Sequence, residues 1–262
     1  MRVLLLAATC AACTTLGPMP ATTGTTPIPL ERTGVELQVA AVPGYYVSSA
    51  VKDDPDASPI GQAAALLDLA GIVPGVIVGG RYVGKANEGG YPEPLLGYRR
   101  ALGQIHQYAV AVVAFGTRAD GANDGATYQA TRLGVEGAFD ARATGMSSLL
   151  ELHLIGAVSW TALWAKGRYC LDEDGRFGVD CPDPPDPPGP MTSAKGSGFY
   201  PAATLSVAAD VARHLDRYLH GIRLALSLAV GAMPRVESGV QESAVPYATF
   251  GLSLTVGLGA AK

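Results

Sequence analysis

The sequence predicts an all-β fold, a closed antiparallel barrel of eight to ten strands that crosses a membrane. Three observations predict it. The first is a long run, residues 149–166, LLELHLIGAVSWTALWAK, in which Leu150, Leu152, Leu154, Val158, Trp160 and Trp164 alternate with Glu151, His153, Ala157, Ser159 and Thr161. Period two marks a strand with unlike faces. A soluble strand stops after about 5 to 6 residues, whereas a tilted strand crossing a bilayer needs about 9 to 11 plus extensions into water. A transmembrane helix needs roughly 20 apolar residues, and Glu151 and His153 interrupt the run before that. The second observation is composition: charged residues are 16% and glycines number 33, against roughly 25% charge in soluble domains. The third is the connections. Short turns near residues 103, 144 and 215 alternate with longer polar stretches at 118–126, 167–198 and 234–243, the asymmetry of a membrane barrel.

Taken in order, residues 1–15 carry Arg2, then VLLLAA, then CAAC, a short export signal. Cys13 after Ala11-Ala12 is the candidate lipidation site of a lipoprotein-type signal, with Cys10 as the weaker alternative. Residues 16–33 are rich in Thr and Pro and read as a linker. The barrel is expected over residues 34–262. Val35, Leu37, Val39 and Ala41, then Tyr45 and Val47, form one row of the first strand, with Pro43-Gly44 marking a bulge or kink. GQAAALLDLAG, residues 61–71, is ambiguous, since Ala and Leu favour a helix while its length suits a strand. Hairpin arms follow around Val76, Val78 and Tyr82, around Leu96, Tyr98 and Leu102, and in QYAVAVVAFG. Leu133, Val135 and Phe139 alternate before the long run. After the Pro- and Asp-rich stretch come ATLSVAADVA, then Ile222 to Val230 in strict alternation, and last Phe250 to Leu258 against Gly251, Ser253 and Thr255. An even strand count keeps both ends on one side. The clear runs number nine, so ten strands are expected if residues 61–71 are one of them and eight if the first run lies outside.

Two barrels fit amphipathic strands, one greasy inside and one greasy outside. The other face here is Gly, Ala, Ser and Thr with sparse charges, which suits the crowded interior of a narrow membrane barrel rather than a surface in water. Open strand edges are not tolerated in lipid, so such strands must close. Export signal, closing amphipathic strand and loop alternation together resemble the small outer-membrane β-barrel proteins of Gram-negative bacteria. The resemblance is one of pattern and covers residues 34–262. It implies a place in the outer membrane, contact with outer-membrane lipid and surface loops as the working part. Two departures stand out: the last residue is Lys262 rather than the aromatic that often ends the assembly signal, and a lipid anchor on such a barrel is uncommon.

The candidate chemistry is limited. Cys170 and Cys181 bracket a water-exposed segment of an exported chain, where disulfides persist, and a bridge is expected. Asp172, Asp174 and Asp180 are a weak calcium set that lacks the later bidentate Glu of an EF-hand loop; no metal or other cofactor is expected. Arg81, Glu136, Glu151, His153 and Arg223 fall on the inward face and are expected to pair as a polar network in the lumen. Acid and base on one face also suit an enzyme built into the barrel, for lipid or acyl hydrolysis. No Gly-x-Ser-x-Gly elbow and no helical histidine pair supports it, however, and no catalytic residue is assigned. The expected role is a structural or interaction component of the envelope with a protein partner. The alternatives are that enzyme and a narrow pore for small solutes. A net charge of -4 and the lack of a Lys/Arg-rich run exclude nucleic acid as partner.

Overall fold

The structure is a computed structural model that describes residues 34–42, 45–47, 60–69, 72–85, 89–102, 108–123, 126–143, 150–171, 177–178, 191–211, 219–237 and 240–259. They form strands β1 (Val35–Val42), β2 (Tyr45–Val47), β3 (Ile60–Asp68), β4 (Val76–Lys85), β5 (Gly89–Leu102), β6 (Tyr108–Asn123), β7 (Ala126–Arg142), β8 (Leu150–Leu171), β9 (Phe177–Gly178), β10 (Met191–Val211), β11 (Leu219–Glu237) and β12 (Val240–Leu258). Successive strands pair antiparallel, and β1 pairs with β12 to close the sheet. β2 continues β1 along the same neighbour and β9 adds a short rung to β8, so the wall has ten strands. The ambiguous residues 61–71 supply β3, because Gln62, Ala64 and Leu66 turn inward while their neighbours face out.

From Ala41 opposite Leu252 to Tyr45 opposite Thr249, this edge advances one residue more than its partner. That is the extra residue of a bulge; Pro43-Gly44 itself lies outside the described residues. So do the signal and linker, Cys13, Cys181, Asp172, Asp174 and Asp180. Cys170 ends the ladder of β8 with β10, opposite Met191. Following partners round the wall from Asp68, which is bonded to Gly34, through Glu136, Ser159 and Tyr247, the path returns to the first strand at Val47. That stagger of about a dozen residues tilts the strands by roughly 35–45°.

Where the side chains are described, the two faces of the strands are inverted relative to a soluble barrel. Outward residues include Leu154, Val158, Trp160 (55% exposed), Leu205, Leu226 (63% exposed) and Phe250. Inward ones include Glu93, Glu136, Arg132, His153, Ser159, Ser227 and Ser253, all buried. An apolar belt around a polar, packed interior is stable only with hydrocarbon outside, and this makes the molecule a transmembrane barrel. Val35 pairs with Leu258, so the chain enters and leaves the wall at one rim.

At that rim the turn after β3 is tight. Leu69 O accepts from the N–H groups of Ile72 (2.7 Å) and Val73 (2.8 Å), and Gly75 takes φ 83°. A Cβ there would stand 2.5 Å from Arg99 O, so only glycine lets β4 start this close to β5. At the opposite rim the expected loops at 118–126 and 234–243 are instead hairpins whose ladders run to Asn123–Ala126 and Glu237–Val240. Of the expected loop 167–198, residues 167–171 belong to β8, 177–178 to β9 and 191–198 to β10, and the rest lie outside the described residues. Polar residues do not by themselves end a strand in water, where the backbone ladder can continue past them.

The same region parts at two seams. β5 and β6 pair no further than Leu95–Phe115, and β10 and β11 no further than Ala202–Gly231, although all four strands go on. Phe199 lies beyond the second break and is 78% exposed, so that seam starts within the apolar belt. Prolines mark both: Pro92 and Pro94 on β5, Pro201 on β10. The Pro92 carbonyl accepts from Thr117 Oγ1 of β6 at 2.6 Å, so residue 92 faces β6, and residue 94 does too, because alternate residues of a strand point their polar groups the same way. A proline at these places leaves no orphaned N–H in lipid.

Candidate functional site

The inward polar side chains gather into two layers. The upper one is built on β4, β5, β6 and β7. Arg81 Nε donates to Glu93 Oε2 at 2.5 Å and its Nη1 to Glu136 Oε1 at 3.1 Å. Arg132 Nη1 lies 3.1 Å from Glu93 Oε1 and donates to Tyr91 Oη at 2.9 Å. Both guanidinium groups rest against the Phe115 ring, 4.7 and 4.8 Å from its centre. Period two brings these groups inward, and register makes them meet: Arg81 stands opposite Glu93 on the β4–β5 ladder. Glu93, Arg132 and Glu136 are 0%, 1% and 2% exposed. Each guanidinium meets at least one carboxylate, the condition for burying charge, and the ring adds cation–π attraction.

The lower layer lies at the rim where the chain ends. Arg223 grips Asp210 with two bonds, Nε to Oδ1 at 2.6 Å and Nη2 to Oδ2 at 3.0 Å, and also lies 3.6 Å from Asp140. His153 places Nδ1 2.9 Å from Asp140 Oδ1 and Nε2 3.2 Å from Asp210 Oδ2. Arg142 lies 3.1 Å from Glu151. Arg99, set by the turn at Gly75, pairs with Asp68 and with Glu36 at 3.1 Å. Between the layers sits an apolar cluster of Leu66, Ile77, Leu95, Val113 and Phe115.

All five residues expected in the lumen point inward, but they do not form one network: Arg81 and Glu136 belong to the upper layer, Glu151, His153 and Arg223 to the lower. Sequence reasoning missed Glu93, Arg132, Tyr91, Asp140 and Asp210. Tyr91, Glu93 and Leu95 alternate with Pro92 and Pro94, a period-two signal hidden by two prolines.

The chemistry open to these groups is restricted. Both ring nitrogens of His153 face carboxylates, which leaves neither aimed at a substrate. Glu151, His153 and Asp210 bring one donor atom each within 4.8 Å of one another, a set that would suit a divalent cation. Yet Arg223 occupies both oxygens of Asp210 and Arg142 sits on Glu151, so a metal would have to displace a guanidinium. The layers read as charge-neutralising cross-braces of the lumen. On the opposite wall the inward residues are small; Ser206 and Ser227 bond to each other at 2.7 Å.

No family model and no curated protein matches the chain. Among solved structures it is similar to the CymD monoaromatic hydrocarbon channel, with TM-score 0.27 and 10% identity over 88% of this chain and 90% of that one. It is also similar to the outer membrane protease OmpT from Escherichia coli, with TM-score 0.27 and 8% identity over 86% and 93%. A third is OmpT, an outer membrane protein of Vibrio cholerae, with TM-score 0.18 and 7% identity over 85% and 96%. Likeness of this degree carries nothing about chemistry, and the barrel reading rests on the chain's own pairing and burial.

Proposed function

We propose that the protein is a structural or interaction component of the bacterial outer membrane that works through its projecting hairpins, where it meets a protein partner of the envelope. The observation that carries this reading is strand length. β8 has 22 residues and β10 has 21, whereas about 9 to 11 cross a bilayer; roughly half of each therefore stands beyond it. The braced lumen supports the same reading, because residues as buried as Glu93 and Arg132 leave no water-filled path beside them. Residues 172–190 join the two longest strands of the wall in sequence, a length of connection that is often functional. In this reading a Cys170–Cys181 bridge stiffens the hairpin, and an acyl group on Cys13 tethers the N-terminus.

The test is made on intact cells. Cysteine at Ser197 is expected to react with an impermeant maleimide, and deleting residues 172–190 to leave a folded, heat-modifiable barrel that no longer co-purifies with its partner. Labelling only after the outer membrane is broken would reverse the orientation. Unchanged co-purification would move the working surface elsewhere.

A further inference from the structure

The seam between β10 and β11 coincides with a hollow of about 750 Å³, within the roughly 300–1,000 Å³ of small-molecule sites. Its lining crosses four strands: Trp160 on β8, Pro201 and Ala203 on β10, Val230 and Ala232 on β11, Pro246 and Ala248 on β12. Trp160 is paired with Pro201, and Ala232 with Pro246. With neighbouring strands 4.7–4.9 Å apart, the hollow runs about 14 Å across the wall. Ala203, Ala232 and Ala248 leave depth beside the larger Trp160 and Val230. The lining also takes in Ser159, Ala202 and Tyr247, which belong to the buried inner face, so the hollow reaches into the wall where the ladder ends.

We propose that this hollow is a binding site for one unbranched acyl chain of a bilayer lipid. Its place in the apolar belt decides the occupant, since outward residues on either side, Phe199 above and Leu205 below, are exposed and apolar. Pro201 and Pro246 offer no N–H, and the Trp160 indole is the one side-chain donor among the outward lining residues, so nothing else there favours a polar group. That indole suits an ester oxygen at the head of the chain, as tryptophans at membrane interfaces do. An extended chain lies across the unpaired edges and shields their backbone from the bilayer core. The site requires the membrane barrel but is independent of any protein partner.

The experiment uses the full-length protein in phospholipid vesicles doped with a phospholipid whose acyl chain bears a diazirine, with crosslinks mapped by mass spectrometry after irradiation. Crosslinks are expected to concentrate at Val158 to Trp160, Pro201 to Ala203 and Val230 to Ala232. In A203L and A248L, each checked for the heat-modifiable folded band, crosslinking there falls to the level of Leu226 and Leu252 in the same sample. Crosslinks spread evenly over the outward residues, or undiminished in both folded variants, would overturn the proposal.

Discussion

Glu93 shows what burial demands of a single residue. It sits between Arg81 and Arg132 with no water-sized space around it, and the three charges are tolerable only together. The same holds at Arg223, whose two bonds to Asp210 and approach to Asp140 leave those carboxylates only His153 if it is removed. Removing one partner of a buried pair costs about 3–5 kcal/mol. Arg223→Met should lower the stability of the folded barrel by about that amount in urea titration of the heat-modifiable band, and adding Asp210→Asn should restore part of it. A loss below about 1 kcal/mol would mean that water reaches the pair, as at exposed salt bridges. Alternation in the sequence tells that Arg81, Glu136, Glu151, His153 and Arg223 face inward. It does not tell which charge meets which, because a partner is set by register and by a stagger that accumulates round the whole wall. For that reason one expected network is two layers, and Glu93 and Asp210 went unnoticed.

At the level of the strand, the inverted faces give the sharpest contrast between neighbouring positions. Leu226 points to lipid and Ser253 to the lumen. Arginine at Leu226 should cost about 2–4 kcal/mol near the midplane of the bilayer, while Ser253→Thr, which keeps the hydroxyl and adds one methyl, should cost less. Equal tolerance at both sites, measured as the urea midpoint of the folded fraction, would contradict the assignment of faces. Strands inside the belt were legible because lipid enforces alternation there. Beyond it that pressure ends, and Asp, Gly and Pro in residues 118–126 and 234–243 look like loop signals although the backbone keeps its ladder. β3 was ambiguous for a related reason: Ala-rich segments satisfy helix and narrow-barrel strand equally well, and closure of the wall decides between them.

The whole molecule combines a braced lower barrel with an upper wall that parts at two seams. Neither feature is written in any one segment; both depend on where ladders stop and which prolines stand there. Two charged layers with an apolar cluster between them should keep the lumen closed, so planar bilayers holding the purified protein are expected to show no steady conductance. Sustained single-channel steps would make the narrow pore the better reading. The central claim, that this chain is a barrel turned outward to lipid, is tested most directly by its own fluorescence. The chain has two tryptophans, Trp160 and Trp164, both outward on β8. In vesicles, phospholipids with brominated acyl chains should quench most of the emission, while acrylamide in the water should quench little. Strong quenching by acrylamide with none by the brominated chains would contradict the account.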